Sequence, residues 1–127
     1  MDHVIAHSPL AAVDFSVLEG LDDGPVAGEP DLVTELIDLY LGEVPHIIDA
    51  IRKGLERNDW KSARRAAHTL RGSSGNLGVL QLSNLADKLE RLEDTEMNLA
   101  RVLCESLERE FVRVSELLLE ERQRRTA

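Results

Sequence analysis

The 127-residue chain carries one cysteine, four prolines, four aromatic residues and an acidic excess, with a formal net charge of −9. Each shortage excludes something. A single cysteine, Cys104, cannot form an internal disulfide, and it fits a reducing compartment such as the cytoplasm. No apolar run approaches the ~18–20 residues that cross a bilayer. The opening Met1-Asp2-His3-Val4-Ile5-Ala6 lacks the basic and apolar regions of a signal peptide. An acidic chain is poorly suited to general nucleic-acid binding, which rewards a basic surface. His3 and His7 fall in the stretch read as linker, His46 and His68 stand well apart in sequence, and Cys104 lies far from all four, so a zinc site has little support. Gly72, Gly75 and Gly78 follow no strand, miss the dinucleotide spacing and precede no P-loop lysine, so no nucleotide is expected here.

What is present is helical period. From Asp31, the residues Val33, Leu36, Ile37, Tyr40, Val44, Ile47, Ile48, Ile51 and Leu55 recur at intervals of three and four. The spacing predicts one helix over about 31–56, started by Pro30 and Asp31 and bent near Gly42 and Pro45. Asn58-Asp59 caps a second helix, about 60–74, with Trp60, Ala63, Ala67, Leu70, Ser74 and then Leu77 inward. A third is expected over about 79–92 on Leu82, Leu85, Ala86, Leu89 and Leu92. A fourth is expected over about 98–122 on Leu99, Leu103, Leu107, Phe111, Val114 and Leu118. Short connections favour antiparallel neighbours, so the chain reads as an all-α, up-down four-helix bundle over residues 29–122. Residues 1–28 read as an N-terminal linker with a short helix capped by Asp14, its Phe15 and Leu18 turned to the body. Residues 123–127 read as a frayed tail.

Chemistry concentrates at Ala66-Ala67-His68-Thr69-Leu70-Arg71-Gly72-Ser73-Ser74-Gly75. Imidazole is a good nucleophile near neutral pH because its ordinary pKa is ~6.5. One residue, ~100°, from inward Ala67, His68 falls on the rim of the helix. Arg64 and Arg71 lie about a turn to either side and can supply positive charge to a moving phosphoryl group. Lys61 and Arg65 extend this basic island, and Gly72 and Gly75 leave room for a partner's surface. Such parts suit transfer within a protein–protein complex. A helical adaptor that binds the same partner without covalent chemistry is the competing reading. Ser73 and Ser74 are read as helix-packing residues, and Trp60, Tyr40 and Phe111 as core.

The order His68-x-Leu70-Arg71-Gly72-Ser73-Ser74-x-x-Leu77-Gly78, with Leu82, Leu85 and Leu89-Glu90 beyond it, resembles the histidine-containing phosphotransfer (HPt) domain of multistep phosphorelays. Glu43-Val44-Pro45 and Asn58-Asp59-Trp60 extend the likeness, which covers about residues 30–120. The resemblance implies a monomeric bundle. It implies that His68 takes a phosphoryl group from an aspartate of one receiver domain and gives it to an aspartate of another. It places the magnesium on the receiver, and assigns neither a cofactor nor ATP-dependent kinase activity to this chain. Arg71 stands where the family more often has lysine, which exchanges a point charge for a fork. Glu90 stands where the family often has a glutamine or glutamate facing the histidine. It is expected to hold one ring nitrogen and leave the other to react. The Ala/Gly/Pro-containing N-terminal stretch suggests a module of a hybrid sensor kinase, whose membrane anchor would lie elsewhere in the parent.

Overall fold

The computed structural model describes residues 12–22 and 31–126. Its regular elements among these residues are five helices: α1 (Phe15–Gly20), α2 (Leu32–Glu56), α3 (Trp60–Asn76), α4 (Leu80–Glu90) and α5 (Met97–Thr126). Helix α2 packs on α3, α3 on α4, α4 on α5, and α5 back on α2, which closes a ring of four. The links at 57–59, 77–79 and 91–96 are short, so consecutive helices run antiparallel, as the sequence predicts. His3 and His7, the Asp22-Asp23 and Gly24-Pro25 loop as a whole, and the opening of the N-terminal linker lie wholly or partly outside the described residues.

Local chemistry starts three of the helices. The side chains of Asp14, Asp31 and Asp59 accept hydrogen bonds from the N–H groups of Ser16, Thr34 and Ser62, respectively. Each satisfies a donor that the first turn cannot pair internally. Helix α2 is unbroken across Pro45, which lies on its exposed side, and the buried positions Tyr40, Val44 and Ile48 stay in phase through it.

The apolar stripes converge on one core. Val33, Ile37, Val44 and Ile51 of α2 are fully buried with Ala63, Ala67 and Leu70 of α3, Leu82, Ala86 and Leu89 of α4, and Leu107, Val114 and Leu118 of α5. The expected α5 stripe is corrected at its start. Leu99 is exposed, and Ala100 and Cys104 turn inward, because a small residue fits where α5 first meets the bundle. Burial, followed by the charge of Glu108, pushes the Cys104 thiol up to about 11, so it stays protonated and inert at neutral pH.

Two polar features tie the frame together. Tyr40 Oη and Ser74 Oγ lie 2.7 Å apart in the core and share a hydrogen bond between α2 and α3. Burial pushes the Tyr40 phenol upward despite that bond. At the other end of α5, Glu121 is buried and pairs with Arg124 and, at 2.7 Å, with Arg125. Arg125 also reaches Asp22 at 3.1 Å and Asp31 at 3.5 Å. This network runs against the expectation of a frayed tail over residues 123–126, and Ala127 lies outside the described residues. Helix α5 continues through Thr126 because its last turn is tethered to the segment after α1 and to the cap of α2.

Helix α1 seats beside the end of α3. The Asp14 N–H donates to the Gly78 carbonyl at 2.7 Å, and Leu18 is fully buried. Gly78 has φ of +76°, and a Cβ there would come within 2.7 Å of the Asp14 carbonyl oxygen. The backbone conformation and the close approach both call for glycine.

Candidate functional site

The register of α3 places the site. Ala67 and Leu70 are fully buried, so intervening His68 stands on the rim, and its side chain is 61% exposed. Lys61, Arg65, Gly72 and Gly75 are exposed along the same side of α3, within two turns of the histidine. A methyl group on Gly72 would meet no described atom within 4 Å. One on Gly75 would make an ordinary 3.5 Å contact with Ser83 Oγ. Neither glycine is demanded by packing, so both mark open surface.

Helix α4 supplies the other half. Glu90, in its last turn, puts Oε2 2.8 Å from His68 Nδ1 and Oε1 3.1 Å from Arg71 Nε. Arg71 Nη2 lies 3.0 Å from the same Nδ1. Both neighbours meet Nδ1, and Nε2 takes no hydrogen bond among the described residues. A carboxylate only accepts and a guanidinium only donates. Glu90 therefore pairs with a protonated Nδ1, and Arg71 with a bare one. The α3–α4 spacing is further fixed by Ser83 Oγ, which donates to the Arg71 carbonyl at 2.8 Å.

Arg64 is not brought into this cluster. Its guanidinium donates to the Leu92 carbonyl at 2.8 Å and to Asp94, and stacks 5.2 Å from the Trp60 ring. The turn after α4 offers a carbonyl and a carboxylate within its reach, and these hold it as a brace between α3 and the α4–α5 link. Sequence reasoning also passed over Asp87. Its Oδ1 lies 3.8 Å from Arg71 Nε, and both its oxygens accept from Arg91 Nε, at 3.1 and 3.0 Å. The signal was available: Asp87 precedes Glu90 by one helical turn and shares its face.

The carboxylates nearest the histidine are thus paired, Glu90 with His68 and Arg71, and Asp87 with Arg91. Among the described residues, no group of three or more His, Cys, Asp or Glu side chains is arranged to hold a metal ion. None of the described helices is long and apolar enough to cross a membrane. The site is a helix rim bearing one exposed imidazole with one nitrogen engaged.

Comparison with known proteins follows the same residues. Histidine-containing phosphotransfer protein 5 of Arabidopsis thaliana is 32% identical over 74 residues, which cover 56% of this chain and 45% of that relative. The chain therefore matches less than half the length of that protein. The crystal structure of histidine-containing phosphotransfer protein B (HptB) from Pseudomonas aeruginosa PAO1 superposes with a TM-score of 0.76 at 29% identity, covering 89% of this chain and 96% of that one. The Hpt domain family model matches residues 35–123, a span that contains His68, Arg71, Gly72 and Glu90. The chain belongs to the Hpt domain family.

Proposed function

We propose that this chain is a phosphorelay intermediate in which His68 carries the phosphoryl group between receiver domains. The observation that carries this reading is the exposed imidazole held at Nδ1 by Glu90, 2.8 Å away, with Nε2 left for reaction. In the forward step, Nε2 attacks the phosphorus of a receiver's aspartyl phosphate. A P–N bond forms, the P–O bond to the aspartate breaks, and the carboxylate departs. Nδ1 keeps its proton, so the ring gains positive charge, and the Glu90 carboxylate beside it offsets that charge. The reverse step delivers the group to a second receiver's aspartate.

Positioning and electrostatics supply the rest. Arg71, within reach of the ring, stabilises the transferred oxygens. Lys61 and Arg65 present positive charge to the phosphoryl-bearing partner, and Gly72 and Gly75 let its backbone approach. Magnesium belongs to the receiver, and the chain acts as a monomer, in the cytoplasm, without kinase activity of its own. Arg64 contributes through the scaffold.

The test is label transfer. Incubated with a phosphorylated receiver, the protein acquires acid-labile label, and His68→Gln acquires none. A stable complex with no movement of label would instead make the chain an adaptor.

A further inference from the structure

We propose that Asp87 is a positioning residue which, through Arg71, sets the tautomer of His68 and thereby the fraction of the protein ready to react. The inference rests on the phosphocarrier reading for its consequence, although its geometry stands apart from it. Nδ1 of His68 has two neighbours that demand opposite protonation states: Glu90 Oε2 at 2.8 Å and Arg71 Nη2 at 3.0 Å. With Nδ1 protonated, Glu90 accepts its hydrogen and Nε2 carries the free lone pair. With Nδ1 bare, Arg71 donates to it, the proton sits on Nε2, and Nε2 cannot attack. Arg71 in that position is a brake on the nucleophile. A lysine would offer a single ammonium that could not pair with Glu90 and Nδ1 through two separate nitrogens.

What holds the guanidinium back is carboxylate on its other side. Arg71 Nε is 3.1 Å from Glu90 Oε1 and 3.8 Å from Asp87 Oδ1. Asp87 is itself shared with Arg91, which takes both its oxygens. The chain of charges runs Arg91, Asp87, Arg71, then Glu90 and His68. Pull on Arg71 from Asp87 favours the reactive tautomer, and pull on Asp87 from Arg91 weakens it.

Nitrogen-15 NMR of the His68 ring, at a pH where its own titration shows it neutral, reads the ratio of the two tautomers directly. Asp87→Asn should lower the ratio of Nδ1–H to Nε2–H by about two- to fivefold, the effect expected of one exposed charge contact. Arg71→Ala should raise it, and so should Arg91→Ala, which frees Asp87. Asp87→Glu should restore the wild-type ratio. These variants move the ratio in opposite directions, so a general loosening of the fold cannot imitate them. Phosphotransfer from one common receiver should fall in Asp87→Asn in proportion to the fraction of His68 that keeps its proton on Nδ1. An unchanged ratio in Asp87→Asn overturns the proposal, and so does an unchanged ratio in Arg71→Ala. If the ratios move as stated but the wild type takes no label from any receiver, the positioning role stands and the phosphocarrier reading fails.

Discussion

Two helical glycines with opposite surroundings test how finely packing and exposure are arranged around the site. Gly72 lies inside α3 on the side of His68, and a methyl group there meets no described atom within 4 Å. Alanine in a helix interior is favoured over glycine by about 0.8–1.0 kcal/mol. With no steric penalty to offset that, Gly72→Ala should stabilise the fold by nearly this amount, raising the melting temperature by about 3–6 °C for a domain of this size. Gly54 lies near the end of α2 where it crosses α3. A Cβ there would sit 2.9 Å from the Ala63 backbone nitrogen and 3.0 Å from the Ala63 Cβ. The obstacle is backbone and cannot swing aside, and overpacking of this kind costs about 1–3 kcal/mol. Gly54→Ala should therefore lower stability even though helix propensity favours the change. Paired urea titrations of the two variants decide the matter. A destabilised Gly72→Ala, or a Gly54→Ala as stable as the wild type, would refute the assignment of open surface to one glycine and close helix contact to the other. The same position separates stability from function: Gly72→Gln should fold at least as well as the wild type yet slow phosphotransfer, because a long side chain then stands beside the imidazole.

Tyr40→Phe leaves Ser74 Oγ buried without its 2.7 Å partner and should cost about 1–3 kcal/mol in chemical denaturation, with label transfer nearly intact. For Glu121, burial raises the carboxyl, but the hydrogen bonds and charges of Arg124 and Arg125 outweigh it and hold it below its ordinary value. Its stabilising contribution is fully present above the ordinary carboxyl range and is lost as pH falls through the lowered value. Glu121→Gln should therefore weaken the protein at pH 7 and flatten the acid limb of its stability–pH curve; an unaltered acid limb would count against the network. With its thiol pushed up to about 11, Cys104 should react with a thiol reagent at pH 8 roughly a hundredfold more slowly in the native state than in denaturant. Equal rates would show that the start of α5 is open.

The fold was legible because its helices announce themselves locally. Asp14, Asp31 and Asp59 sit where caps belong and do cap, and the inward face of α3 follows from spacing residue by residue. His68 was legible for the same reason, since a helix whose buried stripe is known assigns every remaining position to a rim or an outer face. Glu90 was legible only through family resemblance, as nothing in the spacing of α4 says which helix it will face. Other features depended on contacts between residues distant in the chain. Arg64 and Arg71 are equivalent by sequence, each about a turn from His68. Only tertiary packing sends one to Leu92 and Asp94 and the other to Glu90. The tail reads as polar and terminal, yet Arg125 meets Asp22 and Asp31 and the helix persists.

The sequence by itself determined the four amphipathic helices, their antiparallel order and the exposed histidine, because periodicity and short links act within a few residues. Tertiary structure decided which nitrogen of that histidine is engaged, which arginine shares it and which carboxylates restrain that arginine. Those outcomes depend on the register between α3 and α4, and side chains from two helices meet at 2.8–3.1 Å only after the core has fixed it.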